Sequence, residues 1–258
     1  MKNLCLFVFS KTYQIDGSHD IQHVRSVVHN VATVLRAKYG DANAPGTQHI
    51  RRLSEAAAWV HDVCDRKYAG KIQCSVKELY ALLLRTLDQP DACLVFEAAS
   101  HVSFSRLRRL GAPQLPLLSS IVWRIVSEAD MLEAMGVTGM IRTMMYQGAV
   151  HKTVDDALSY ADNVLTQRVY CIKYSKKEAY VRLSRMRHLI HAASHTGHPH
   201  HTEILSFMRT CHAFGRRGLS FSHTLHHVLT QSVSTRTVRR ALRDEQRVLC
   251  PQLCRICY

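Results

Sequence analysis

The sequence predicts an all-α protein, on three observations. Apolar residues recur at helical spacing along most of the chain. Three stretches have the form of a capping box, in which a Ser or Thr and an acid three residues later close the start of a helix: Ser75–Glu78, Thr153–Asp156 and Ser175–Glu178. Strict apolar–polar alternation, the mark of a half-buried strand, never persists long enough to build a sheet.

In chain order, the six-residue apolar run at 4–9 is too short for a signal-peptide core or a membrane span, and reads as a first helix or strand packed on the core. Ser18 is placed to cap a helix to about residue 39, with His23, Val27, Asn30, Val31 and Val34 on one face. Asp41, Asn43, Pro45 and Gly46 mark a loop. The next helix carries Leu53, Ala57, Val60 and Cys64 on its apolar stripe. Ser75 opens a helix through 87, and Pro90 another to about 101. A basic loop over 106–116 follows, then a strongly apolar helix over 117–135, ended by Gly136. A short helix over 137–146 precedes the two opened by the later capping boxes, which run to about 169 and 190.

With 258 residues, 47% of them hydrophobic, the chain can bury a sizeable core. Its net charge of +14 favours polyanionic partners such as nucleotides, nucleic acid or phosphorylated substrates. Nine scattered cysteines, an odd number, argue for a reducing compartment over a disulfide framework, so a cytoplasmic protein without membrane association is expected. Composition changes near residue 190. Ten of the 17 histidines fall between His188 and His227, and the residues from His195 onward carry nine arginines and three acids. This divides the chain into a domain over 1–194 and a basic extension over 195–258, partly helical or disordered, with one amphipathic helix over 235–249. Cys250, Cys254 and Cys257 have zinc-like spacing, but a structural zinc site needs a fourth ligand, which the histidine cluster 195–201 would have to provide.

The chemistry concentrates where polar side chains interrupt apolar stripes. His61 follows the alanine-rich run 56–58, and Asp62 comes next. Burying an imidazole and a carboxylate together is expensive unless something neutralises them, and a divalent cation would do so. His23 lies on the valine stripe of its helix. Asp130 continues the stripe Val122, Val126 of a helix otherwise rich in Leu, Ile, Val and Trp. Taken singly, each has an ordinary reading as a hydrogen-bonded core residue, with Arg124 or Arg142 available to Asp130. Together, two imidazoles and two carboxylates suit one divalent ion, of Mn, Mg, Fe, Co, Ni or Zn, with positions left for water and substrate.

Four segments in this order resemble the HD-domain superfamily of metal-dependent phosphohydrolases, in its small single-domain branch. They are Ser18-His19-Asp20-Ile21-Gln22-His23, Ala57-Ala58-Trp59-Val60-His61-Asp62-Val63-Cys64-Asp65-Arg66-Lys67, His101-Val102-Ser103-Phe104-Ser105, and Glu128-Ala129-Asp130-Met131-Leu132-Glu133-Ala134-Met135-Gly136. The resemblance covers about residues 16–190. It implies a helical bundle around one metal held by His23, His61, Asp62 and Asp130, and hydrolysis of a phosphate ester or anhydride, with a nucleotide as the expected substrate. Met131 departs from the family's usual arginine, and Glu128 and Glu133 stand where it has aspartates. A catalytically impaired relative that binds nucleotides or nucleic acid is therefore the alternative, as is a nuclease using the basic tail. Asp65, one turn past His61, would orient or deprotonate the attacking water, or else pair with Arg66 or Lys67 at the surface. Lys67 would meet a phosphate or remain solvated. His101 would act as general acid or phosphate donor, or serve structurally. Arg106, Arg108 and Arg109 would gather anions at the site mouth.

Overall fold

The computed structural model describes residues 1–12, 17–40, 44–63, 74–230 and 238. Among these, every regular element is helical, and the all-α expectation holds. The helices are α1 (Lys2–Thr12), α2 (Ile21–Tyr39), α3 (Pro45–Val60), α4 (Val76–Leu84), α5 (Gln89–Ser100), α6 (Phe104–Leu110), α7 (Leu117–Glu133), α8 (Gly136–Ala149), α9 (Val154–Asn163), α10 (Lys173–Ser194), α11 (His201–Arg216) and α12 (Phe221–Thr230). A 3₁₀ turn, Leu165–Gln167, follows α9.

Local chemistry explains most boundaries. At Ser75 and Thr153 the capping boxes form as read, each hydroxyl accepting the backbone N–H of Glu78 or Asp156 while that acid accepts the N–H of the cap. Pro45 occupies the first turn of α3, where its missing N–H costs nothing, so this helix starts inside the expected loop. Helix α2 begins two residues later than a cap at Ser18 would start it. The Asp20 carboxylate takes the Gln22 N–H at 2.9 Å, while the Ser18 hydroxyl lies 2.8 Å from His19 Nδ1. No capping box forms at Ser175, which is buried inside α10. Instead both carboxylate oxygens of Glu128 accept the N–H of Ile172, just before that helix, at 3.1 Å. The basic loop at 106–116 is helical in its first half: the Ser103 hydroxyl caps α6, and Gly111, with φ of 74°, ends it.

The chain divides into two compact units, and the division is not the one composition suggested at 194/195. The first unit comprises 1–15, 23–131 and 172–175; the second comprises 16–22, 132–171 and 176–258. In the first unit α3 packs on α1 and α5, and α4 on α5. Val24, Val27, Val31, Leu53, Ala57, Val95, Val122 and Val126 are among its fully buried residues. Asn30 of α2 donates from Nδ2 to the carbonyl of Ala129 on α7 at 3.1 Å.

In the second unit α8 and α11 form the most extensive helix pair. Met140, Ile141, Met144 and Met145 share a core with Ile204, Phe207, Met208 and Cys211, and with Phe221 and Val228 of α12. Residues 201–230 are therefore built into a core and are not an appended tail. Of the helix read over 235–249, only Val238 is described, and it is buried in that core. The rest of it, with Cys250, Cys254 and Cys257, lies outside the described residues. Arg142 spends its charge within this unit: Nε donates to the fully buried Glu133 at 2.9 Å, a terminal nitrogen donates to the Ser18 carbonyl at 2.8 Å, and the guanidinium lies 3.8 Å from the centre of the Phe221 ring.

Candidate metal centre

Three helices of the first unit deliver the site. His23 sits in the first turn of α2. His61 is the C-terminal cap of α3, with Asp62 beside it. Asp130 lies near the end of α7. A cap position suits His61: past the last full turn its ring swings back, and Nδ1–H donates to the Ala58 carbonyl at 2.8 Å. That bond fixes the ring and leaves Nε2 as the atom with a lone pair to offer.

The four side chains meet. His23 Nε2 is 3.2 Å from Asp62 Oδ2 and 3.4 Å from Asp130 Oδ1. His61 Nε2 lies 3.4 Å and 3.9 Å from the same two oxygens. The imidazole centroids are 5.4 Å apart. Donor atoms of His23, His61 and Asp62 all fall within 4.8 Å of one another, a compact set that could hold a metal ion. His23, His61 and Asp62 are buried, whereas the Asp130 side chain keeps 22% of its surface exposed and marks the open side. His61 Nε2 is buried and accepts no hydrogen bond among the described residues. A buried acceptor of this kind costs about 1–3 kcal/mol, which coordination of a cation would relieve. Imidazole nitrogen and carboxylate oxygen are the donors of choice for first-row divalent ions. By both tests the residues fit a metal.

Electrostatics fit the same reading. Burial alone would lower the pKa of His23, but hydrogen bonds to Asp130 and Asp62, with the charges of both, raise it to about 9. Burial would raise that of Asp130, yet the hydrogen bond to His23 and the charges of both histidines hold it below the usual carboxylate range. Without metal, then, a protonated His23 bridges two carboxylates. In that state the pairing stabilises the fold fully below about pH 6.5, and its contribution is lost as pH rises through about 9. A metal must displace the proton, so we expect uptake near neutral pH to release about one proton per ion, with affinity rising roughly tenfold per pH unit up to about 9. Calorimetric titration in buffers of different ionisation enthalpy measures that proton directly. Zero release would mean that His23 does not ligate.

Next to His61 opens a cavity of about 690 Å³, whose lining includes Ser103, Ser105, Arg106 and Arg109. Its size suits a nucleotide-sized ligand. Two of the three arginines read as an anion-gathering loop thus reach it from α6. His101 faces elsewhere. As the cap of α5 it donates Nδ1–H to the Glu97 carbonyl at 2.9 Å and lines a separate cavity of about 170 Å³ with Trp123 and Arg106. Its own carbonyl accepts the Trp123 indole N–H at 3.0 Å. Asp65 and Lys67 lie outside the described residues. Asn30 and Ser103 went unassigned from sequence. Asn30, a polar residue on the valine stripe of α2, signalled its role; nothing distinguished Ser103 from an ordinary cap.

No protein-family model matches the chain. Over 134 residues, 52% of its length, it is 30% identical to the uncharacterized protein YpgQ of Bacillus subtilis, and that match spans 59% of the relative, less than two thirds. The fold is that of YpgQ. A crystal structure of YpgQ in complex with ADP superposes with a TM-score of 0.59 at 22% identity, covering 76% of this chain and 98% of that one. A second YpgQ structure gives 0.58 at 23%, covering 76% and 95%. A crystal structure from Lactobacillus plantarum gives 0.56 at 20%, covering 75% and 94%. Among the described residues of this chain, no helix is long and apolar enough to cross a membrane.

Proposed function

We propose that this chain is a metal-dependent phosphohydrolase of the HD type, acting on a nucleotide or similar small phosphate. The observation that carries the reading is the convergence of His23, His61, Asp62 and Asp130, with the buried His61 Nε2 offering an unused lone pair. When bound, a divalent ion acidifies water and polarises a phosphoryl oxygen. The protein's own groups do the rest. His23 and His61 supply neutral nitrogen, and Asp62 and Asp130 supply negative charge that offsets the cation in a buried setting. Arg106 and Arg109 line the adjoining cavity and are suited to hold phosphate oxygens through planar, fork-like hydrogen bonds. Ser103 and Ser105 add hydroxyls there. Asp65 is assigned to the proton of the attacking water and Lys67 to a phosphate. His101, whose Nδ1–H is held by the Glu97 carbonyl and whose ring lines the separate cavity beside Trp123, is given no catalytic role. The ADP complex of YpgQ, which has the same fold, supports a nucleotide as the ligand class.

The test is a panel of nucleoside mono-, di- and triphosphates with Mn²⁺, following phosphate and pyrophosphate release after the as-purified metal has been measured. We expect turnover of at least one nucleotide, abolished by chelation and restored by metal. Tight nucleotide binding without release of either product would favour a binding protein instead. Arg106→Ala is expected to raise KM about tenfold or more while metal content stays unchanged, because a charged hydrogen bond contributes about 1.5–3 kcal/mol. An unchanged KM would remove Arg106 from the substrate site.

A further inference from the structure

The second unit carries another group of nitrogen donors, which the site above does not use. His188 and His191 lie on the last turns of α10, and His195 follows that helix's end, its N–H still donating to the His191 carbonyl at 3.1 Å. Spacings of three and four residues put all three on one face. The chain then turns, with the N–H of His198 donating to the His195 carbonyl at 2.9 Å, and this brings His198 back over the helix. Ring centroids lie 4.0 Å apart for His191 and His195, 5.5 Å for His188 and His198, and 5.8 Å for His191 and His198. His198 and His200 also approach to 5.8 Å. All are exposed except the half-buried His198.

We propose that His188, His191, His195 and His198 form a surface site for a transition-metal ion that prefers imidazole, namely Cu²⁺, Ni²⁺ or Zn²⁺, independent of the buried centre. His195 Nδ1–H donates to the His191 carbonyl at 2.9 Å, which leaves its Nε2 as the donor. No carboxylate is needed to complete an all-imidazole set. Such a set suits copper, nickel and zinc, while magnesium and manganese prefer the carboxylate-bearing buried centre. The ring nitrogens are not yet gathered on one point as those of His23 and His61 are. An ion must order these exposed side chains as it binds, so affinity is set lower than at the buried centre.

The experiment uses the full chain carrying His23→Ala and Asp62→Ala, titrated with Ni²⁺ and separately with Mn²⁺. We expect one Ni²⁺ to bind and Mn²⁺ to give no heat. Adding His191→Ala, His195→Ala and His198→Ala should weaken Ni²⁺ binding at least tenfold, with the far-UV circular dichroism unchanged. A chain that binds no Ni²⁺ after loss of the buried centre overturns the proposal, as does Ni²⁺ binding that survives the three further substitutions. In the wild-type chain, NMR should show Cu²⁺ broadening the imidazole signals of His191 and His195 at substoichiometric amounts; sharp signals there would also overturn it. None of these readouts depends on hydrolytic activity.

Discussion

Asp62→Ala should abolish metal retention and hydrolysis together. Asp62 Oδ2 is the oxygen that both imidazoles approach more closely, at 3.2 Å and 3.4 Å, and it comes from a buried side chain. Removing it takes away one ligand and one of the two negative charges that make a buried cation tolerable. Loss of the ion's contribution amounts to several kcal/mol of transition-state stabilisation, roughly a thousandfold or more in rate. Added Mn²⁺ should raise the thermal midpoint of the wild-type protein, because a ligand that binds only the folded state stabilises it, and should leave that of the variant unmoved. Asp65→Ala is expected to behave differently, retaining metal while losing about 10²–10⁴ in rate, the usual effect of removing an acid–base group. Equal metal loss in the two variants would show that the two roles are assigned wrongly. An Asp62→Ala chain that still binds metal and turns over would remove this cluster from the reaction altogether.

The site was legible because polar side chains interrupt otherwise apolar helix faces. His23 among the valines of α2, and Asp130 after Val122 and Val126, each have an ordinary reading alone, and only the set of four points to a cation. The convergence was implied by the resemblance, and its structural cause was not legible. It depends on Asn30 holding α2 against the backbone of α7, and on the cap position of His61, which turns its ring onto Ala58. Of the two arginines available to Asp130, Arg142 is instead committed to Glu133 and the Ser18 carbonyl. Capping boxes at Ser75 and Thr153 were read correctly because both partners are exposed and local. The one at Ser175 failed because tertiary contacts decide that helix start: Glu128, from another helix, receives the Ile172 N–H, and Glu178 is drawn to Arg182 at 2.7 Å. The segment after residue 195 was misjudged because its composition was weighed over its period. Ile204, Phe207, Met208 and Cys211 repeat at helical spacing, and the surrounding histidines and arginines obscure that stripe.

That stripe carries the second large expected effect. A domain boundary at 194/195 would imply that a chain ending at Ser194 remains folded; the packing of α8 against α11 argues that its second unit will not hold. These helices approach so closely that no side chain fits at the crossing. A Cβ on Gly215 would lie 2.0 Å from the Met145 carbonyl oxygen, and one on Gly148 would lie 2.2 Å from that of His212. Backbone is met on both sides, so a methyl group can be accommodated only by moving the helices apart. Gly215→Ala should therefore cost about 1–3 kcal/mol despite being the smallest substitution available. Phe207, 1% exposed between the methionines of α8, should cost about 3–5 kcal/mol when cut to alanine. Domains are stable by only about 5–15 kcal/mol, so removing α11 and α12 entirely should unfold the unit and expose Met140, Ile141, Met144 and Met145. The truncated chain is then expected to aggregate, since contiguous apolar surface of that extent is not tolerated in solution. Thermal unfolding followed by circular dichroism, with size-exclusion chromatography, tests the series. A truncated chain that stays monomeric and melts cooperatively within a few degrees of the full-length protein would show that α11 is dispensable, and the two point variants would then have to be silent as well.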